Sequence, residues 1–517
     1  DFAFTQDLGF GRDILIAAGL GTGPVADAFI VAFRLPNLFR RVLGEGALNA
    51  AFVPLFARRL EDDKANGTTG TAVRFAEEAL AFLATVLLVI SAVLIIAMPL
   101  VTYFLAAGFA DDQGKFQLTV ELSQLAFPYL FCMSIVALLS GVLNALQRYW
   151  AAAAAPILLN LVLISAISTA LWLGYGEQPD AGYIMASAVA GAGFVQLAML
   201  WIAVRMAGVR LRLRLPRYTP GVKRLVELGI PGIIAGGITQ INIVIGTNIA
   251  SLQDGAVSFL YYADRLYQLP LGIVGIAIGV VLLPELSRQL RAGDHARASD
   301  TQNRAMEAAL LLTLPAAVAL AVVAVPIISV LFERGAFGPD DTQATAYALA
   351  AFAFGLPAFV LIKVLQPAFF AREDTKTPMR FAIINMAVNV VGSLILFFAF
   401  QAMGWMPHVG IAVATSIAAW INTALLWWHL RASGEFAADR RLVRNLPLIA
   451  VASLAMGAAL YFGTPVLDPY LGNGAALISR IFALGVVVVG GAAVFFAMAA
   501  ACGVISPATL KQMRSRA

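Results

Sequence analysis

The stretch "VAFRLPNLFRRVLGEGALNAAFVPLF" (residues 31–56) carries charged side chains inside an apolar segment long enough to cross a bilayer. The charges are Arg34, Arg40, Arg41 and Glu45. A charge at the centre of a membrane-spanning helix costs about 2.5–3.5 kcal/mol on translocon insertion scales, so such side chains are kept where they face a bundle interior or a water-filled cavity. The stretch therefore predicts a membrane protein with a polar interior.

The composition of the whole chain agrees with this prediction. Of the 517 residues, 60% are hydrophobic and 13% are charged, whereas an average soluble protein has about 25% charged residues. Short segments of alternating polarity, which are typical of transmembrane strands, are absent from the sequence. We therefore expect an all-α integral membrane protein with about fourteen transmembrane helices, at residues 9–22, 24–57, 75–108, 118–146, 151–174, 181–204, 225–250, 256–287, 304–333, 343–370, 379–401, 409–430, 445–464 and 474–503.

The basic residues are divided unevenly between the two sets of loops. One set holds most of the 35 lysines and arginines, including the run from Arg205 to Arg224, whereas the other set holds only Lys115 and Arg334. The positive-inside rule puts the basic set and both termini in the cytoplasm. The net charge of +5 therefore reports topology and contact with anionic headgroups, and we expect no nucleic-acid partner.

Residue types that carry catalysis or bind metals are scattered. The two cysteines (Cys132 and Cys502) lie in apolar surroundings, and the three histidines (His295, His408 and His429) form no ligand cluster. No nucleophile, base and orienting group occur together, so the sequence predicts neither an enzyme nor a bound metal or cofactor.

An internal repeat divides the chain. Four pairs of residues match at nearly one offset: Arg34 with Arg265, Pro54 with Pro284, Pro128 with Pro357, and Asn160 with Asn389. The repeat predicts two pseudo-symmetric six-helix lobes, residues 1–215 and 216–440, followed by two extra helices and a basic tail in residues 441–517. Both copies start on the same side of the membrane, which is the parallel kind of repeat found in alternating-access carriers.

Several cations lie inside or at the edge of the predicted spans: Arg12, Arg34, Arg40, Arg41, Arg265, Lys363 and Arg480. Arg12, Arg40 and Arg265 come from spans that the repeat puts around a central cavity, so we predict that they bind substrate. Arg34 and the pair Arg41 and Glu45 fit either a structural role or the cavity. Lys363 and Arg480 are interpreted as snorkelling or packing residues.

The sign of these charges indicates the class of substrate. Guanidinium groups bind phosphate oxygens in a bidentate fork and stay charged at physiological pH. A carrier of cationic drugs would need acids in its cavity, and a sugar carrier would need aromatic and amide groups. The arginines therefore favour a phosphate or diphosphate on a membrane-embedded substrate.

Five motifs carry a resemblance to a known family: "GFGRDILIA", "DAFIVAFRLPNLFRRVLGEGALNAAFVPLF", "YYADRL", "GVVLLPELS" and "AREDTKTP". They closely resemble the MurJ (MviN) lipid II flippase family, within the superfamily that includes multidrug and toxin exporters. The resemblance runs through all fourteen spans. It implies a flippase that moves the undecaprenyl-diphosphate-linked peptidoglycan precursor to the outer leaflet of the bacterial cytoplasmic membrane.

The resemblance also assigns roles by motif. It implies a cationic cavity with Arg12, Arg40 and Arg265, and it gives supporting or gating roles to Asp13, Asp27, Asn37, Glu45, Ser258 and Asp264. The last two spans would form a groove for the lipid tail. The implied partners are the lipid-linked muropeptide, membrane lipids and the cell-wall synthesis machinery, and the implied functional unit is a monomer.

Two positions depart from the family pattern. Gln6 stands in "TQDLGF" where the family has an arginine, so we expect the segment before Gly9 to differ from a native first helix. Some relatives have an acid in span 7 that belongs to a sodium site, and residues 237–252 contain none. Asn385 and Asn389 offer oxygens, but a sodium site is not expected without that acid, and membrane potential is the expected driving force.

Three other functions remain open at this point. A flippase for another polyprenyl-diphosphate oligosaccharide would use the same arginines. A multidrug exporter of the same superfamily would need acids in the cavity. A scaffold that only binds the precursor would tolerate locking of the two lobes.

Overall fold

The structure is a computed structural model that describes residues 2–39, 48–66, 70–472 and 474–504. Within these ranges the side chains of residues 2–6, 39, 48–50, 232–236, 238–239, 276–277 and 280 are not described. Every regular element in the described part is a helix, because an apolar segment in lipid must satisfy its backbone polar groups internally.

The α-helices, in chain order, are α1 (Phe2–Leu20), α2 (Pro24–Phe39), α3 (Leu48–Ala65), α4 (Thr71–Ile96), α5 (Met98–Leu105), α6 (Gln113–Ala126), α7 (Pro128–Ala145), α8 (Trp150–Trp172), α9 (Pro179–Met206), α10 (Pro220–Ala250), α11 (Ala256–Arg291), α12 (His295–Val322), α13 (Ala324–Phe332), α14 (Pro339–Phe370), α15 (Lys376–Ala402), α16 (Pro407–Ala432), α17 (Arg440–Gly463), α18 (Asp468–Leu471) and α19 (Leu477–Ala501). Short 3-10 helices cover Ala107–Asp111 and Thr464–Leu467.

Ten helical segments of the described chain are long and apolar enough to span a membrane. They are α4, α6 with α7, α8, α9, α12, α14, α15, α16, α17 with α18, and α19. The protein is thus a multi-pass, all-helical membrane protein. The four other predicted spans correspond to α1, α2 with α3, α10 and α11. Each of these helices, or the segment that joins α2 to α3, contains residues whose placement or side chains are not described. The number fourteen therefore stays a prediction.

The chain divides into two compact units. Unit 1 comprises Asp1–Ser258 and Arg334–Phe337, and unit 2 comprises Phe259–Glu333 and Gly338–Ala517. In unit 1, α9 packs against α2, α6, α7 and α8, and α1 packs on α8. In unit 2, α14 packs against α12, α13 and α16, while α17 joins α12 to α19.

Small residues set the closest helix contacts in unit 2. A Cβ added to Gly355 in α14 would lie 2.9 Å from Ser416 Cα, and one added to Gly410 in α16 would lie 2.7 Å from the backbone of Leu396. Membrane helices pack through such small residues because lipid offers no hydrophobic drive for their association. These glycines allow α16 to approach both α14 and α15.

The same turn occurs at matching positions of the two sequence repeats. Gln147, between α7 and α8, has φ 57°, and Glu373, between α14 and α15, has φ 62°. In each turn the residue after it donates its backbone N–H to a carbonyl of the preceding helix, Arg148 to Leu143 at 2.9 Å and Asp374 to Phe369 at 3.0 Å. The left-handed residue ends the first helix of each pair and lets the chain reverse.

Several residues of the basic loops are tied into the fold by buried acids. In unit 1, Glu77 (3% exposed) accepts from Arg212 N at 2.8 Å and pairs with Arg214. In unit 2, Glu307 (6% exposed) pairs with Arg441 at 3.1 Å and accepts from Asn445 Nδ2 at 2.7 Å. Each acid fixes a basic segment to a helix in addition to any contact with headgroups.

Arg480 is a packing residue, which agrees with one of its two predicted interpretations. It is 7% exposed, and its Nη2 donates to the backbone oxygen and the hydroxyl of Ser329 at 2.8 Å each. These bonds hold α19 against α13 in unit 2 and satisfy Nη2 of the guanidinium, whereas its buried Nε has no hydrogen-bond partner among the described residues.

Candidate functional site

Arg12 lies on α1 and is 6% exposed. Its Nε and Nη2 donate to Asp13 Oδ1 at 2.9 and 2.6 Å, and its Nη1 donates to Asn160 Oδ1 at 3.0 Å. The guanidinium carbon lies 5.6 Å from the centre of the Phe33 ring. Asp13 therefore neutralises the guanidinium along one edge. Asp13, Asn160 and the Phe33 ring together hold it in one orientation.

Asn160 is the contact that the sequence reasoning missed. It is 5% exposed on α8, and in the sequence it stands out only as a marker of the repeat. A Cβ added to Gly9 would lie 3.6 Å from Asn160 Nδ2, so a glycine lies on α1 next to this amide. Asn160 is a polar residue in an apolar span, and this could have indicated that it has a polar partner inside the bundle.

Arg34, which the sequence left open, is part-buried on α2, and its Nη1 donates to Thr247 Oγ1 on α10 at 2.5 Å. Asn37 is half-buried on the same helix. Arg40, Arg41 and Glu45 lie outside the described residues. The predicted substrate role of Arg40 and the supporting role of Glu45 therefore stay predictions.

Asp27 is the most completely enclosed charge among the described residues of unit 1, at 0% exposure. Its Oδ2 accepts from Lys115 Nζ at 2.8 Å and from the backbone N–H of Gly255 at 3.0 Å. Its Oδ1 accepts from Ser258 through the backbone N–H at 3.0 Å and the hydroxyl at 2.7 Å. The carboxylate thus joins α2 to α6 and to the N-terminal end of α11, where the helix dipole favours an anion.

The sequence predicts a loop position for Lys115. In the structure Lys115 lies on the first turn of α6 and is 3% exposed. Its Nζ also lies 3.1 Å from Asp254 Oδ1, whose side chain is 98% exposed, and 4.2 Å from the Phe109 ring centre. Lys115 is one of only two basic residues in the acidic set of loops. This unusual position could have indicated that it pairs with a buried acid such as Asp27. Asp27, Lys115 and Ser258 form what we call the outer network, since the loop charges predict an outer position.

Arg265 and Asp264 lie on α11 in unit 2, and both are half-buried. Arg265 Nη2 donates to Tyr261 Oη at 3.1 Å, and its guanidinium carbon lies 4.7 Å from the centre of the Tyr261 ring. Asp264 accepts a hydrogen bond from Gln268. Each side chain has a partner one turn away on its own helix.

The oxygens that the sequence offered for a cation are uncharged. Asn389 Oδ1 in α15 accepts from Ser393 Oγ at 3.3 Å and from Thr415 Oγ1 at 3.1 Å. Asn385 Oδ1 is buried without a hydrogen-bond partner among the described residues. No group of three or more acidic, histidine or cysteine side chains suited to a metal exists in the described chain. The expected absence of a sodium site stays a prediction.

Comparisons with known proteins agree on one family. The family model described as "Lipid II flippase MurJ" matches residues 16–480. The chain is 48% identical to the "Probable lipid II flippase MurJ" of Rhizobium tropici over 509 residues, which cover 98% of this chain and 93% of that protein. It is 49% identical to the protein of the same name from Rhizobium meliloti (strain 1021), with the same coverage.

Solved structures show the same fold at lower identity. A structure titled "Lipid II flippase MurJ, inward closed conformation" superposes with a TM-score of 0.75 at 24% identity and covers 96% of each chain. An inward-facing multidrug resistance transporter of the MATE family gives a TM-score of 0.66 at 15% identity and covers 83% of this chain and 95% of that chain. These likenesses support the fold alone.

We expect Asp27→Asn and Lys115→Met to be energetically coupled. Either single substitution leaves the other charge in a buried position without its main partner, whereas the double variant removes both charges. A double-mutant cycle on the free energy of unfolding in detergent should give a coupling of about 2 kcal/mol.

The matched control for this cycle is Asp254→Asn combined with Lys115→Met. Because the Asp254 side chain is 98% exposed, we expect its coupling to stay below about 0.5 kcal/mol. A coupling near zero for Asp27 and Lys115 would contradict the buried pair.

Proposed function

The chain belongs to the lipid II flippase MurJ family, and from this membership we infer that it moves lipid II from the inner to the outer leaflet of the cytoplasmic membrane. Lipid II is the undecaprenyl-diphosphate-linked precursor of peptidoglycan. The observation that carries the proposal is the Arg12 site, where a guanidinium is kept in an apolar bundle at 6% exposure. Asp13 already neutralises this guanidinium, so we propose that an incoming diphosphate replaces Asp13 as its counter-ion.

In the proposed mechanism Arg12, Arg40 and Arg265 bind the diphosphate, and Arg34 is an additional cation. Arginine suits this task because its planar fork bonds two phosphate oxygens at once. The bonds of Arg12 to Asp13 and Asn160 support the proposal, since they fix the guanidinium before substrate arrives and reduce the entropy lost on binding. Arg40 lies outside the described residues, so its role rests on the sequence alone, on a charge kept in an apolar span and on the family motif.

We propose alternating access as the transport mechanism, with the outer network as the contact that must open for release. Asp27 holds the N-terminal end of α11 through Gly255 and Ser258, so opening there requires these hydrogen bonds to break. Asp13 acts as the partner of Arg12, and Asp264, Asn37 and Glu45 take the supporting or gating roles that the family motifs imply. The polyprenyl tail stays in lipid, and α17 and α19 provide its groove.

The proposed topology has fourteen crossings of the bacterial inner membrane, with both termini in the cytoplasm. The basic loops support this orientation through the positive-inside rule. The protein acts as a transporter rather than as an enzyme, works as a monomer, and has the cell-wall synthesis machinery as a partner. The neutral oxygen set around Asn389 supports transport without a bound sodium ion.

Complementation tests the substrate role of the arginines. In a bacterium depleted of its own lipid II flippase, we expect the parent chain to restore growth and Arg12→Ala, Arg40→Ala and Arg265→Ala to fail at equal membrane levels, because each removes a phosphate ligand. Arg12→Lys should rescue partially, since it keeps the charge but loses the fork. The matched control is Arg74→Ala, whose side chain is 65% exposed, and it should rescue fully.

The possible outcomes of this experiment distinguish a binding role of the arginines from a structural one, and a lipid II flippase from related transporters. Rescue by the parent and by all three alanine variants would make the arginines structural. Failure of the parent would favour a flippase for another polyprenyl-diphosphate oligosaccharide or a multidrug exporter.

Membrane potential is the proposed driving force. An empty cavity with net positive charge is drawn towards a negative interior with about 2.3 kcal/mol per charge carried through 100 mV. Vesicles with an imposed inside-negative potential should therefore transport lipid II several-fold faster than vesicles without one, and replacing sodium with potassium on both sides should leave the rate unchanged. Equal rates with and without potential would contradict this proposal.

A further inference from the structure

A cavity of about 790 Å³ lies in unit 2, among three turns that the proposed function does not use. One wall is the end of α11 and the start of α12, with Arg291 and His295. The rest of the lining comes from the α14–α15 turn, with Arg372 and Glu373, and the α16–α17 turn, with Glu435. Basic residues lie in or directly beside all three turns, which predicts a cytoplasmic position for the cavity, near the inner-leaflet headgroups.

The walls of the cavity are fixed by hydrogen bonds. Arg372 donates to the Ala368 oxygen at 2.6 Å and to the Glu435 backbone oxygen at 3.2 Å, and its Nε lies 3.5 Å from Glu435 Oε2. Asn303 Nδ2 donates to the Ala437 oxygen at 2.9 Å. The cavity is therefore held open by bonds between its own turns.

The α14–α15 turn is also fixed at its other end. Asp374 accepts from the backbone N–H groups of Lys376 and Thr377 at 3.0 Å each. Hydrogen bonding from Thr377 lowers the pKa of Asp374, so this side chain remains a carboxylate that caps α15. Glu373 is consequently presented from a rigid backbone.

Some of the charged side chains that line the cavity have an ion-pair partner within the protein, and others have none. Arg372 and Glu435 pair with each other. Arg291 donates through Nε to the Ser287 oxygen at 3.2 Å, and no carboxylate of the described chain pairs with it. The Glu373 carboxylate likewise has no ion-pair or hydrogen-bond partner among the described side chains. One exposed cation and one exposed anion thus remain for a ligand.

This distribution of charge selects the class of ligand. The lining arginines and glutamates are balanced in number, so a polyanion such as a nucleotide would meet two carboxylates without a surplus of cations. A base would also need an aromatic platform, and the lining aromatic, Phe436, is 3% exposed. A metal ion would need more carboxylates than the lining offers. A small ligand that carries one positive and one negative charge can pair with both Arg291 and Glu373.

We propose that this cavity binds a zwitterionic phosphate ester of the phosphoethanolamine kind, with its phosphate at Arg291 and His295 and its ammonium at Glu373. The phosphate also meets the N-terminal end of α12, where the helix dipole favours an anion. The apolar lining residues Leu290, Ala296 and Ala371 contact the alkyl part of the ester. The ester belongs either to an inner-leaflet lipid headgroup or to a soluble molecule.

Native mass spectrometry of the full, delipidated chain tests the proposal. Phosphatidylethanolamine, phosphatidylglycerol and phosphatidylcholine of matched acyl chains are titrated separately. We expect phosphatidylethanolamine to bind about ten-fold more tightly than the other two, because glycerol lacks a cation and choline lacks N–H donors. Arg291→Gln and Glu373→Gln should each abolish this preference. Both side chains are exposed, so neither substitution removes a buried contact.

The matched control is Arg297→Gln, in the same basic segment but outside the cavity lining, and it should keep the preference. Competition with soluble phosphoethanolamine identifies the source: displacement at equal concentration indicates a soluble ligand, and resistance to displacement indicates a lipid headgroup. Equal binding of phosphatidylglycerol that survives Glu373→Gln would overturn the proposal in favour of a simple anion site. Absence of selective binding to any lipid or to the soluble ester would also overturn it.

Discussion

A charged side chain inside an apolar helix bundle must be neutralised and hydrogen-bonded where it stands, and this requirement governs the polar positions of both units. Arg12 bonds to Asp13 and Asn160, Asp27 to Lys115 and Ser258, and Glu307 to Arg441 and Asn445. Each set joins helices distant in sequence. The charges therefore fix helix positions, and any function they perform must exchange these partners without leaving a charge unsatisfied.

Exchange of partners is what distinguishes a binding charge from a structural one. Asp27 is 0% exposed and takes four hydrogen bonds from three residues, so a ligand cannot replace its partners without opening the bundle. Arg12 has one carboxylate and one amide on its guanidinium, and an incoming diphosphate offers more negative charge than Asp13 does. The first arrangement suits a gate, and the second suits a site that binds and releases an anion.

The sequence predicted the helical class, the membrane location and the family, because each depends on patterns that extend over the whole chain. Arg12 stood out as a charge in an apolar span, whereas Asp27 was singled out only through its place in the family motif. The sequence did not identify Asn160, Thr247 and Lys115 as the partners of Arg12, Arg34 and Asp27, because contacts between helices distant in sequence leave no local pattern. The cavity near Glu373 was equally invisible, since it forms only where three separate turns meet.

The most direct test of the central claim is transbilayer movement of a fluorescent lipid II in proteoliposomes, followed by quenching with an impermeant reductant. The matched substrate carries the same disaccharide-peptide on undecaprenyl monophosphate. Recognition through the diphosphate predicts that the diphosphate lipid moves at least about ten-fold faster than in protein-free vesicles and faster than the monophosphate lipid. Movement of both lipids at one rate, or no faster than in protein-free vesicles, would contradict the account.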